Sequence, residues 1–188
     1  MKNILFSLFI IAFTSIWAQE KPSAIVYPDQ DGTVQEKMED MLTDDNKLYL
    51  RNAVNYHRDA YLIFDVSKNP YQKVILELTV KNIPADKNEK GSLTLELFGI
   101  DKALDFNHLN YSSQPSVADL NAIVLSTEVK PSDKMVPFDI TDYYNKILQN
   151  GAKKFTLKLS SNTRNAFVQF HSDNASRNNI KPKLKLYE

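Results

Sequence analysis

The sequence has no cysteine, only 4 glycines and 3 histidines in 188 residues, and no net charge. Each scarcity excludes a class of protein. Without cysteine there can be no disulfide, no thiolate metal site and no lipid-attachment residue of a bacterial lipoprotein, so the core alone must hold the fold. So few glycines leave no phosphate-cradling loop. His57, His108 and His171 stand too far apart to form a metal-ligand pattern. With 23 basic against 23 acidic residues and no basic run, the chain carries no long-range attraction to nucleic acid.

Long apolar runs are also missing. The longest, Ile4 to Phe13, is about 10 residues, against the roughly 20 needed to cross a bilayer. Lys2 precedes it, and the small residues Ser15 and Ala18 follow at the positions a signal peptidase reads. This pattern predicts a signal peptide over 1–18 with cleavage between Ala18 and Gln19, a secreted or periplasmic product, and no membrane insertion of the mature chain. Residues 19–188 then form a single domain, a length of chain that can bury roughly 70% of its unfolded surface. No catalytic domain is attached, so the expectation is a free-standing module.

What the sequence does have is alternation. In His57–Val66, Ala60, Leu62, Phe64 and Val66 fall on one face and Asp59, Tyr61, Ile63 and Asp65 on the other, which predicts a half-buried central strand. The same period-two pattern predicts strands at 23–27, 47–51, 74–81, 93–98, 122–129, 135–140, 155–159, 166–171 and 183–187. Pro137 places its strand at an edge or end, and Pro28 to Gly32 is a turn. From Asp101 to Asp119 alternation fails, and a long connection carries Phe106, His108, Leu109, Tyr111 and Pro115. One helix is expected from about Thr141 to Asn150, with Thr141 as N-cap and Gly151 as the left-handed cap beyond its end. Tyr144, Ile147 and Leu148 lie on its inner face. About nine or ten short strands without alternating strand–helix units predict an all-β, antiparallel two-sheet jelly-roll sandwich with one short helix.

The segment Thr33–Asn46 lacks alternation and reads as an acidic loop. Its Glu36, Glu39, Asp40, Asp44 and Asp45 are oxygen donors of the kind calcium takes, so a structural calcium is the one cofactor to consider, with a solvated loop as the plainer reading.

Several segments in order carry a resemblance: Leu48–Asn52, Ala60–Val66, Asn110–Pro115, Phe138–Asp142, and Val168–Ser172 followed by Pro182–Leu184. Together they resemble a family of extracellular bacterial modules, the DNRLRE-type domains, related to carbohydrate-binding module family 96. Tyr111 stands where that family commonly has tryptophan and Ile63 where it commonly has a basic residue, and the acidic loop replaces the usual asparagine-tyrosine-glycine stretch. The resemblance implies a jelly-roll module that binds uronate-rich glycans such as alginate.

Sugar binding needs flat aromatic rings for pyranose faces, and a uronate adds a need for Arg or Lys to meet its carboxylate. The strand phases place Tyr49, Arg51, Tyr61, Lys81, Phe167, Gln169, His171, Lys183 and Lys185 outward, and the candidate ligand-binding residues are Tyr49, Arg51, Tyr61, Gln169 and His171. An alternative partner is another extracellular protein docked on an apolar patch, to which outward-facing Phe98 and Phe167 would contribute. Catalysis needs a positioned acid and base. Asp65 and Asp139 lie at strand ends where carboxylates hold turns, so no catalytic set is assigned.

Overall fold

A computed structural model describes residues 21–43, 45–84, 92–116 and 120–188, with backbone alone over 121–124. The expected signal peptide at 1–18 and Asp44 lie outside the described residues. The strands are β1 (Ala24–Val26), β2 (Gln30–Gln35), β3 (Lys47–Ala53), β4 (Tyr56–Asp65), β5 (Lys73–Asn82) and β6 (Leu93–Ile100). There follow β7 (Asn121–Val129), β8 (Met135–Asp139), the helix α1 (Thr141–Gln149), β9 (Lys154–Ser161), β10 (Ala166–His171) and β11 (Lys183–Tyr187). The all-β expectation holds, and every ladder among these strands is antiparallel.

The strands join into one 11-stranded curled sheet in the order β1-β11-β5-β10-β3-β4-β9-β6-β7, with β2 added to β4 and β8 added to β5. No break in the hydrogen-bonded path divides it into two sheets. The junction is β5, which pairs with β11 and β8 along most of its length and with β10 at Val80 and Asn82. β8 pairs only with β5 among the described residues, which leaves Pro137 on an edge as expected.

The main core contains the inward residues that alternation assigned to β4, with Ala60, Leu62 and Phe64 all 0% exposed. Around them pack Leu48 and Leu50 of β3, Leu76 and Leu78 of β5, Leu93, Leu95 and Leu97 of β6, and Phe155, Leu157 and Leu159 of β9. Helix α1 closes one end with Tyr143, Tyr144 and Ile147 buried. Tyr143 lies so close to Gly99 that a Cβ there would sit 2.3 Å from the Tyr143 ring, which is why β6 carries its glycine at that point. The helix ends as expected. Gly151 at φ 76° follows the last turn, and the N–H groups of Gly151 and Ala152 donate to the carbonyls of Leu148 and Ile147, respectively. Its start differs, because Thr141 is the first helical residue and Ile140 precedes it without a side-chain cap. The Thr141 hydroxyl instead accepts the N–H of Val74 at 2.9 Å, and its own N–H donates to Asp139 at 3.1 Å.

The second face of β4 corrects the half-buried reading. Asp59, Tyr61 and Ile63 are 1%, 0% and 2% exposed. Tyr61 and Ile63 enter a second apolar cluster with Val34, Met41, Phe98, Ile100, Phe106, Leu109 and Leu120. Two segments expected to be loops supply much of this cover. One contains β2, within the region expected as turn and acidic loop, which pairs with β4 from Gln30↔Ile63 to Gln35↔Arg58. The other is the connection after β6, whose scattered apolar residues face inward onto β4 rather than outward. Phe98 and Phe167, expected to point outward, are each 8% exposed, and this removes the apolar patch on which protein docking was argued.

Phe64 stacks on Phe155 with ring centres 5.7 Å apart and is wholly enclosed. Phe64→Ala is expected to cost about 3–5 kcal/mol, read as a lower midpoint in a denaturant titration of the intact chain. An unchanged midpoint would contradict the placement of this strand.

Candidate functional site

Across the β3–β10 ladder Tyr49 stands opposite Gln169, Arg51 opposite Phe167 and Lys47 opposite His171. Directly opposed residues share a face, so Tyr49, Arg51, Gln169 and His171, expected as site residues, meet on one half-buried sheet face. The fifth, Tyr61, is elsewhere. Its ring is buried in the second cluster and its hydroxyl donates to Gln114 Oε1 at 2.8 Å, so its expected exposure is corrected by the cover that the connection after β6 provides. Lys183 and Lys185 are not free surface cations either. Lys183 is 6% exposed and pairs with Glu77 at 3.0 Å, and Lys185 pairs with the other carboxylate oxygen of Glu77. Burial pushes the Glu77 carboxyl up, but hydrogen bonds from the two lysines outweigh it and hold the group below its ordinary range.

Two further residues belong to the face. The β3–β4 hairpin turns at Val54 and Asn55, where Asn55 takes a left-handed φ of 61°, and brings Tyr56 and Arg58 back against Tyr49 and Arg51. The Arg51 guanidinium carbon lies 4.4 Å from the centre of the Tyr56 ring. That of Arg58 lies 4.9 Å from Tyr56 and 4.7 Å from Tyr49. Tyr49 in turn lies 6.5 Å from Phe167. The result is a stack in the order Arg51, Tyr56, Arg58, Tyr49, Phe167, with the Lys47 ammonium 5.8 Å from the Tyr49 ring. Cation–π contacts of this kind contribute about 0.5–1 kcal/mol each at exposed sites and more where water is excluded. The sequence carried a signal for the missed pair: Tyr-x-Arg occurs twice, as Tyr49-Leu50-Arg51 and Tyr56-His57-Arg58, on either side of a two-residue turn.

The electrostatics of the face are one-sided. Among the described residues, no carboxylate forms an ion pair with Arg51, Arg58, Lys47 or Lys81. Lys81 donates to Asn46 Oδ1 at 2.9 Å. At the face Asp45 accepts the Tyr49 hydroxyl at 2.6 Å. Burial, with the Lys81 charge, holds His171 below its ordinary value, so at neutral pH its ring is an uncharged donor and acceptor. Stacking leaves the Arg51 N–H edge free for a planar carboxylate, whereas Arg58 already donates from Nη2 to the Tyr56 hydroxyl at 2.7 Å.

On the other side of β4 a different polar group is wholly structural. Asp59 accepts from His57 Nε2 at 3.0 Å and pairs with Lys158 Nζ at 3.0 Å. Tyr111, on the covering connection, packs its ring 5.8 Å from that of His57. The hydrogen bond to Asp59 raises the His57 imidazole. Burial pushes Asp59 up, but the His57 hydrogen bond and the Lys158 charge outweigh it and hold the carboxyl below its usual range. The acids of the expected calcium loop do not converge. Glu36 accepts the His57 N–H at 3.1 Å and Asp45 holds Tyr49. Among the described residues, no three histidine, aspartate or glutamate side chains gather around one metal position.

The signs of the two histidine shifts are opposite. His57 binds its proton more tightly when folded, so the stability this gives is complete below about pH 6.5 and is lost as pH rises through the folded-state value. In a proton NMR titration His57 is expected to titrate above that value and His171 below it, and His57→Gln to lower Tm more at pH 5.5 than at pH 9. The reverse order of titration would contradict the network.

Comparison with curated proteins gives no match. No helix among the described residues is long and apolar enough to cross a membrane. The sequence profile of carbohydrate-binding module family 96, a family of non-catalytic modules, matches residues 22–188, from just ahead of β1 through β11. The match spans the basic aromatic face and the strands that carry it, and by it the chain belongs to carbohydrate-binding module family 96.

Proposed function

We propose that this module binds acidic, uronate-rich polysaccharide on the face built by β3, β10 and the start of β4. One observation carries the reading: Arg51 and Arg58 are stacked on tyrosine rings with no carboxylate paired to either among the described residues, in a chain whose charges otherwise balance. Lys47, Arg51, Arg58 and Lys81, without an ion-paired carboxylate among the described residues, give a local positive field on a neutral protein, which attracts a polyanion and orients it. Tyr49 and Tyr56 hold the guanidiniums by their ring faces and present apolar ring edges to the sugar. Arg51 and Arg58 offer two-pronged contacts to uronate carboxylates, and Gln169 and His171 offer hydrogen bonds to hydroxyls. Such an open face suits the side of an extended chain better than the end of a small sugar.

The curled sheet is read as a jelly-roll variant, and the amino-terminal segment as an export signal cleaved after Ala18. Amino-terminal sequencing of the mature product, beginning at Gln19, checks the latter.

Calorimetry against alginate and a neutral glucan tests the binding reading. Arg51→Ala and Tyr49→Ala are each expected to lose about 1–3 kcal/mol toward alginate, with wild-type binding weakened by salt. Tyr61→Phe, altering a buried hydroxyl, is expected to lower stability and leave alginate affinity unchanged. Unaltered affinity in both face variants, or no alginate binding by the wild type, would overturn the reading.

A further inference from the structure

The start of β2, residues 40–43, residues 106–107 and residues 173–174 enclose a cavity of about 420 Å³ lined mostly by oxygen-bearing side chains. Asp31 enters it from β2 and is 3% exposed. One of its oxygens, Oδ2, accepts the backbone N–H of Asp173 at 2.8 Å. The other, Oδ1, is buried with no donor, and so is Oδ1 of Asp173. Two orphaned carboxylate oxygens in one cavity are costly, because a buried acceptor without a donor forfeits its hydration. No lysine or arginine among the described residues forms an ion pair with either group. Lys181 acts on Asp31 only through its charge at longer range, and the nearby Asp29 is already held by Lys154 at 2.6 Å. Burial, and after it the Asp173 carboxyl, push Asp31 up to about 9. Without a cation the pair must therefore hold a proton at neutral pH.

We propose that Asp31 and Asp173 bind a calcium ion in this cavity, with Asn107, Asn174 and water completing its oxygen shell. The donor chemistry selects the ion. No thiolate or imidazole lines the cavity for a softer metal, its one sulfur being the Met41 thioether, and calcium accepts carboxylate, amide and water oxygens in irregular geometry. The site differs from the acidic set expected in the sequence: it draws one acid from β2 and one from the segment after β10, and neither belongs to that set.

The ion would also tie down the edge of the basic face. Asn174 Nδ2 donates to the Thr43 carbonyl at 2.9 Å, and the Ser172 hydroxyl donates to that of Asp45 at 2.7 Å. Asp45 is the residue that holds the Tyr49 hydroxyl. Calcium binding itself does not rest on the glycan reading and is tested without glycan.

The intact chain, stripped with EDTA, is titrated with CaCl2 by calorimetry and melted at pH 7 with and without 10 mM CaCl2. Extracellular calcium modules bind with constants of roughly 10⁻⁴–10⁻³ M. At 10 mM, roughly 10- to 100-fold above such constants, mass action is expected to raise Tm by about 3–10 °C. Asp31→Asn and Asp173→Asn are expected to abolish both the heat and the Tm rise, and 10 mM MgCl2 to give neither. A wild type that binds no calcium and melts at the same temperature with it would overturn the proposal, leaving a shared proton between the two acids. Equal responses to magnesium, or calcium responses retained by both variants, would overturn it as well. If either variant fails to fold, the wild-type calorimetry decides alone.

Discussion

A strand buried on both faces has no water to hold its charges, and β4 is such a strand. Its main-core side is wholly apolar through Ala60, Leu62 and Phe64. Its other side carries an aspartate at 1% exposure, which would be untenable alone. The chain answers with His57 two residues before and Lys158 on the neighbouring β9, both bonded to the same carboxylate. Lys158 also reaches Gln114, which accepts the Tyr61 hydroxyl. The long connection after β6 is therefore fastened by polar bonds as well as by its apolar residues, and its irregular backbone is a lid for β4.

This arrangement separates structure from function. Because the Asp59 side of β4 is sealed, wet aromatic and basic surface is concentrated at the hairpin that leaves the sealed region. There, Tyr56 and Arg58 at the start of β4 meet Tyr49 and Arg51 of β3. The hairpin turn depends on Asn55 in the left-handed region, where asparagine is tolerated better than most residues. Guanidiniums that elsewhere in a neutral protein would find carboxylates find tyrosine rings instead. Stacking fixes their planes while leaving their charge uncompensated, so recognition of an anion requires little further ordering of long side chains.

The legible parts were those in which one face met water or the core consistently. β3, β5, β6, β9, β10 and β11 were legible because every second position carries an apolar residue of the main core, even in β9, where Phe155 to Leu159 are buried on both sides, and α1 announced its end with Gly151. β2 was hidden because Gln-Asp-Gly-Thr-Val-Gln has no apolar alternation; pairing with β4 makes it a strand, and it buries Asp31 and Thr33. Tyr61, Ile63 and Phe98 were assigned outward by the same alternation that placed their neighbours correctly. What covers them is a segment without periodicity, so tertiary cover overrode the pattern. Lys183 and Glu77 look like solvated charges in sequence and become a buried pair only when β11 is set beside β5. The candidate face was half legible: Tyr49, Arg51, Gln169 and His171 share a strand phase, whereas Arg58 shares the phase of the inward Ala60 and enters the stack only through the turn of the hairpin.

The central claim is that the β3–β10 face and the hairpin, rather than the connection after β6, receive an acidic glycan. Titrating isotope-labelled protein with a short oligouronate while following amide and side-chain NMR shifts tests it most directly. The account predicts changes concentrated at Lys47, Tyr49, Arg51, Tyr56, Arg58, Gln169 and His171, diminished by added salt. Changes concentrated instead between Leu104 and Pro115, or none at saturating oligouronate, would contradict it.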